Sequence, residues 1–171
     1  MNQQIIISGL GGQGILFLTK LLAQAAMDSG NDVITSETHG MAMRGGTVVS
    51  HVKIGSFLSP LIRTGQADMG FFLTAGSFEI HRAFLREGAP AVINTPRTDG
   101  PFAIDAAAIA REAGARMATN LVLLGFAVKR DLPFCTVSIM REAIGRLSPS
   151  RHRQMNIEGF ERGLNYEGGA S

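Results

Sequence analysis

The run Ile5-Ile6-Ile7 followed by Ser8-Gly9-Leu10-Gly11-Gly12-Gln13-Gly14 constrains this chain more than any other stretch. A short apolar segment stops at a glycine-rich turn, and an apolar helical pattern then runs from Ile15 to Met27. Glycines 9, 11 and 14 have the G-x-G-x-x-G spacing in the strand–turn–helix context that gives it meaning. Such a turn lets the backbone approach an anion, and the helix behind it supplies free N–H groups and the positive end of a dipole. Gly9, Gly11, Gly12, Gln13 and Gly14 are therefore candidates for holding a phosphate-like group. The bland alternative is a tight βα turn that binds nothing.

Alternation of strand and helix patterns continues down the chain. Strands are expected at 4–8, 33–36, 47–54, 68–74 and 91–94, with helices at 14–29, 77–86, 105–112, 120–129, 136–147 and 149–164. Ser77, Asp105 and Thr136 stand where N-caps belong. Residues 57–62, broken by Pro60, read as a short edge or loop segment. The 47–54 segment alternates and reads as a half-exposed strand, added antiparallel to the sheet. The fold class is therefore α/β: a three-layer open sheet, mostly parallel with an added antiparallel edge strand, helices on both faces. No repeat or linker divides the chain, so residues 1–171 are read as one domain.

Composition excludes several functions. Basic residues are scattered apart from Arg151-His152-Arg153 and are not interleaved with aromatics, which argues against nucleic acid as a partner. Cys135 is the only cysteine, so no internal disulfide, four-cysteine zinc site or self-contained iron–sulfur cluster can form, and a reducing cytoplasm fits. Gly9 ends the first apolar run too early for a signal peptide or membrane span. Apolar residues make up 45% of the chain and charged residues 18%, which fits a surface covered by another subunit, with self-association of the isolated chain, or a monomer with a large α/β core.

The segment 37–46 is read as a loop at the carboxyl edge of the sheet, beside the glycine turn. It holds Glu37, His39, Met41, Met43, Arg44, Gly45 and Gly46. Arg44 before two glycines presents a guanidinium on a close-approach backbone, suited to phosphate or carboxylate. One exposed arginine is usually only solvated. Four features within ten residues favour a site or an interface. Glu37 and His39 are two possible metal ligands, too few for a metal site. A dinucleotide site would need an acid about 20 residues past the glycines. Glu37 has roughly that place but leads straight into Thr38-His39-Gly40, which weakens the NAD reading. His51, His81 and His152 have no evident partners and read as surface or structural histidines. Cys135 precedes a helix start, which can activate a thiol, although a lone thiol is more often packing.

Ser8-Gly9-Leu10-Gly11-Gly12-Gln13-Gly14, together with Glu37-Thr38-His39-Gly40-Met41-Ala42-Met43-Arg44-Gly45-Gly46-Thr47-Val48-Val49-Ser50-His51-Val52, resembles the gamma subunit or domain of 2-oxoacid:ferredoxin oxidoreductases. The second block looks most like the gamma-like beta subunit of the indolepyruvate type. Asn120-Leu121-Val122-Leu123-Leu124-Gly125 and Asn156-Ile157-Glu158-Gly159-Phe160-Glu161-Arg162-Gly163 also resemble family patterns. Members of that family oxidatively decarboxylate a 2-oxoacid with thiamine diphosphate, iron–sulfur clusters and coenzyme A, and pass electrons to ferredoxin.

The resemblance implies a non-catalytic subunit whose 37–46 segment caps a site on a larger partner, with Glu37, His39, Met41 and Met43 at that interface. It implies an anion site at the glycine turn, Arg44, Gly45 and Gly46, for the phosphates of coenzyme A or for carboxylates of the partner. No Gly-Asp-Gly diphosphate–magnesium motif occurs here, so thiamine diphosphate, magnesium and the clusters are expected on the partner. The competing expectations are a stand-alone Rossmann-like nucleotide-binding module or NAD-dependent oxidoreductase, and a scaffold with an empty glycine turn.

Overall fold

The computed structural model describes residues 1–40, 46–100, 102–130 and 132–168. Six strands, β1 (Gln3–Leu10), β2 (Val33–His39), β3 (Thr47–Ile54), β4 (Met69–Phe72), β5 (Ala91–Asn94) and β6 (Ala103–Ile104), form one sheet in the order β2-β3-β1-β4-β5-β6. The helices are α1 (Ile15–Asp28), α2 (Ala75–His81), α3 (Ala106–Glu112), α4 (Thr119–Val128), α5 (Val137–Leu147) and α6 (Arg153–Leu164). β1, β4, β5 and β6 pair in parallel. β3 is antiparallel to both β1 and β2. The antiparallel component is thus an edge pair, and the reversed strand lies one place in from the rim. β2 runs in the direction of β1 but is separated from it by β3, so the first βαβ unit crosses over a strand.

This insertion corrects the expectation that β3 is half-exposed. Every residue from Val48 to Ile54 is buried. Val48, Val52 and Ile54 enter the main core, whereas Val49 enters a smaller core on the opposite face. His51 and Lys53 follow Val49 onto that second face by the two-residue period of a strand. Lys53 is 7% exposed and its ammonium stands 4.9 Å from the centroid of the Phe57 ring. The segment 57–62 is not a strand, and β6, only two residues long, escaped the sequence pattern.

The two faces are covered unequally. The main core joins Ile5, Ile7 and Phe71 of the sheet to Leu18, Leu21 and Leu22 of α1, to α4 and to Met140, Ala143 and Ile144 of α5. The other core gathers Ile6, Val49 and Phe72 beneath Ile62, Phe78, Phe84 and Leu85. α4 is buried at every position from Asn120 to Val128, as an all-round apolar helix must be.

Local signals explain most boundaries. Asp105 and Thr136 accept N–H bonds from Ala108 and Ile139 and cap α3 and α5 as expected. Ser77 is not the cap of α2: Thr74 is, and Ser77 completes a reciprocal capping box from the third helical position. That helix ends at His81 and continues as one tight turn, Arg82–Phe84. α6 begins at Arg153, four residues after the expected start, because Ser148 to His152 make turns around Pro149.

The second face carries two histidines, His51 buried and His81 half-buried. The His51 Nδ1 accepts the Ile62 backbone N–H at 3.2 Å, which requires an unprotonated nitrogen there. The His81 Nδ1 lies 2.8 Å from the Ser8 hydroxyl oxygen. Burial lowers both imidazole pKa values, and Lys53 and His81 push His51 lower still. For a histidine depressed on folding, the unfolded chain binds more protons between the folded value and about 6.5. Stability from these rings is therefore fully present above the ordinary histidine range and is lost as pH falls through the folded values. Melting temperatures recorded from about pH 7.5 down to about pH 5 should fall, and His51→Gln should flatten that slope. A slope unchanged by the substitution would remove the role given to His51.

Candidate functional site

The glycine turn forms at the carboxyl end of β1. Gly9, still in the strand, leaves no room for a side chain: a Cβ would stand 2.7 Å from the Gln13 Oε1 and 2.9 Å from the Leu73 Cβ. Gly12 and Gly14 have φ of 88° and 78°, a left-handed conformation that glycine adopts without strain. Gly14 is the N-cap of α1, and the first helical bond is Leu18 N–H to the Gly14 carbonyl. The N–H groups of Ile15, Leu16 and Phe17 therefore precede the helical ladder and face the turn. Gln13, a candidate ligand, instead directs its amide oxygen to the Leu10 N–H at 2.7 Å and braces the turn.

The second glycine-marked segment reaches the same rim. Gly11 N–H donates to the Gly46 carbonyl at 3.0 Å, and Gly40 N–H donates to the Thr47 carbonyl at 2.8 Å. The ends of the 40–47 connection thus sit beside the glycine turn. Met41, Met43, Arg44 and Gly45 lie outside the described residues. The loop is shorter than the sequence suggested, because β2 extends through His39, which pairs with Val48. Glu37 and His39 are strand residues, both exposed.

Two cavities flank the turn. The first, about 620 Å3, is lined by Leu10, Gly11, Gly12, Gly14, Leu16, Lys20, His39 and Val48 among others. It brings His39 to the turn but not Glu37, and it adds Lys20, one helical turn past Leu16, which sequence reasoning passed over. The second, about 540 Å3, lies on the α4 side between Gly12–Gly14 and Leu73, Asn94, Arg116, Asn120, His152 and Asn156. Both open at the carboxyl ends of the parallel strands, where open α/β sheets hold ligands.

Other candidates resolve into structure. Burial pushes the Cys135 thiol up to about 12, so it is a packing residue and not an activated nucleophile. Among the described residues no group of three His, Cys, Asp or Glu converges on a metal position. No helix of the described residues is long and apolar enough to cross a membrane.

Residues 4–166 match the sequence pattern of the family described as pyruvate ferredoxin/flavodoxin oxidoreductase. The chain belongs to that family. Within the pyruvate ferredoxin/flavodoxin oxidoreductase family it is similar over its whole length to small subunits. It is 31% identical to the indolepyruvate oxidoreductase subunit IorB of Archaeoglobus fulgidus, over 96% of this chain and 95% of that one. It is 30% identical to the subunit of the same name from Methanothermobacter thermautotrophicus, over 96% and 97%.

The gamma subunit of a keto/oxoacid ferredoxin oxidoreductase from Geobacter sulfurreducens has the same fold, with a TM-score of 0.76 at 23% identity over 95% of this chain and 96% of that one. A 2-oxoglutarate:ferredoxin oxidoreductase from Magnetococcus marinus, solved with 2-oxoglutarate, coenzyme A and succinyl-CoA bound, matches with a TM-score of 0.77 at 21% identity. There this chain corresponds to 30% of the longer protein. The expected family and α/β fold are therefore established, and the chain is a small subunit of an oxidoreductase.

Proposed function

We propose that this chain is the gamma-type subunit of a thiamine-dependent 2-oxoacid:ferredoxin oxidoreductase of the indolepyruvate branch. It closes the active site of a larger subunit and offers an anion site to coenzyme A. The observation that carries this reading is the Gly11–Gly46 hydrogen bond, which binds the glycine turn to the end of the 40–47 connection. Around that junction lie the start of α1, Lys20 and His39, in a cavity of about 620 Å3. Backbone N–H groups, a helix dipole and an ammonium suit the phosphates of coenzyme A. Arg44 and Gly45, between Gly40 and Gly46, have the sequence position to reach the same ligand.

The chemistry belongs to the partner. The sequence has one cysteine, too few to ligate an iron–sulfur cluster, and no Gly-Asp-Gly diphosphate–magnesium motif, so thiamine diphosphate and the clusters are assigned to the larger subunit. The isolated chain turns over no 2-oxoacid, and electrons leave for ferredoxin from the partner. A stand-alone dinucleotide site fits less well. Such a site needs β2 beside β1, with an acid at its tip. Here β3 intervenes and His39, not Glu37, borders the cavity.

Steady-state kinetics of the assembled complex tests the proposal. Arg44→Ala and Lys20→Gln should each raise the coenzyme A KM about tenfold or more, with kcat little changed, as loss of a charged contact made equally in ground and transition states does. Unchanged KM in both variants, with the complex intact, would refute the anion site. Failure to co-purify with a thiamine-containing chain would refute the subunit assignment itself.

A further inference from the structure

We propose that the cavity on the α4 side of the glycine turn is a second binding site, for a small organic monoanion with an apolar body whose carboxylate pairs with Arg116. The inference stands apart from the coenzyme A reading, because neither Lys20 nor His39 lines this cavity.

The space is formed in advance. It measures about 540 Å3, within the range of small-molecule sites. Three asparagines fix its walls. The Asn94 amide donates to the Leu73 carbonyl at 3.0 Å and accepts the Ala107 N–H at 3.1 Å, so it ties the end of β4 to the start of α3. Asn120, 3% exposed, donates to the Gly14 carbonyl at 3.1 Å and joins α4 to the glycine turn. Asn156, 6% exposed, donates to the Ser148 hydroxyl at 2.9 Å. A side-chain amide has two N–H donors and an oxygen with two lone pairs. Each of the three keeps hydrogen-bonding capacity that its wall contact does not use, on side chains already held in place. These three side chains therefore add no ordering penalty to binding.

Charge selects the ligand. Arg116 and His152 line the cavity, and no aspartate or glutamate does. None of the ion pairs among the described residues uses Arg116. Its planar fork matches one carboxylate bidentately, and a cation would be repelled. A polyphosphate would call for more positive charge than one guanidinium. Besides Gln13 and Thr119, the rest of the lining is apolar and partly soft: Phe17 and Met155, both half-buried, and Met117, 71% exposed. Methionine sulfur and an aromatic ring favour a flat apolar body. A ligand seated there also explains why a large apolar side chain stands in water beside a cavity.

Calorimetric titration of the full chain with phenylacetate, phenylacetamide and inorganic phosphate decides the matter. Phenylacetate should bind, and both the neutral amide and phosphate should bind at least about tenfold more weakly. Arg116→Gln, a change at an exposed position, should weaken phenylacetate about 10- to 100-fold with the melting temperature of the free protein unchanged. Lys20→Gln, across the glycine turn, should leave phenylacetate binding intact. No detectable binding at millimolar phenylacetate would overturn the proposal. So would equal binding of the amide or of phosphate, or an Arg116→Gln variant that binds as well as the parent.

Discussion

Replacing Gly163 with alanine is expected to destabilise the chain by about 3 kcal/mol, the upper part of the range for overpacking a core, and to lower its melting temperature by about 6 to 12 °C. α6 crosses α4 at backbone contact. A Cβ on Gly163 would overlap the Val122 carbonyl oxygen and stand 2.8 Å from the Val122 carbonyl carbon and 2.9 Å from the Phe126 nitrogen. The contact is reciprocal: a Cβ on Gly125 would meet the Phe160 carbonyl and lie 2.8 Å from the Leu164 nitrogen. The atoms in the way are backbone, so no rotamer change relieves the overlap. The helices must move apart, and α4 is buried along nearly its whole length.

Gly145 supplies the control. It lies within α5, and a Cβ there would meet nothing within 4 Å. Gly145→Ala should therefore stabilise by about 0.5 to 1 kcal/mol, through helix propensity alone. Thermal melts of the two variants should move in opposite directions. If Gly163→Ala melted with the parent, the close crossing would be wrong.

That crossing was only half legible in the sequence. The apolar run within Asn120 to Lys129 announced a helix, and its burial follows because the eight consecutive positions from Leu121 to Val128 offer no polar face to water. The glycines of α6 were visible as a family pattern, but their partner surface depends on how two helices meet, which no local periodicity encodes. The same limit explains β3. Its alternation is real, yet both of its faces are covered, since its place between β2 and β1 puts it inside the sheet. His51, read as a surface or structural histidine, is structural, and Lys53 on the same face of that strand is buried with it. Thr74 was missed as a cap because Ser77 is also a capping type, and the box uses both.

The site divides along similar lines. The glycine turn was legible from its strand–turn–helix context; its approach to Gly46 comes from the antiparallel pairing of β1 with β3, which sets Leu10 opposite Thr47. Lys20, Asn94, Arg116 and Asn120 were not, because each enters a cavity from a different element. Lys20 alone had a local signal, lying on the first turns of the helix that the glycines begin. Gln13 sits within the motif spacing but serves the turn's own geometry, which a spacing rule cannot distinguish from ligand contact.

Gly14→Ala should destabilise by about 2 to 3 kcal/mol, and half of that loss should be recoverable. Two separate terms add. Holding a non-glycine residue at φ of 78° costs about 1 to 2 kcal/mol. The new Cβ would also overlap the Asn120 amide nitrogen and lie 3.1 Å from its Cγ, which drives that amide from its bond to the Gly14 carbonyl. Asn120→Ala alone should cost about 1 to 2 kcal/mol, for a lost hydrogen bond and the unfilled volume. In the double variant the overlap no longer exists, so the backbone strain is the only part of the Gly14 effect that remains. A double-mutant cycle should therefore return a coupling of about 1 kcal/mol, with the pair less harmful than the sum of the single changes. Strict additivity would mean that α4 does not brace the glycine turn. Because Asn120 lines one cavity and Gly14 both, the same four proteins would also reveal whether ligand affinity on either side of the turn follows its geometry or merely its stability.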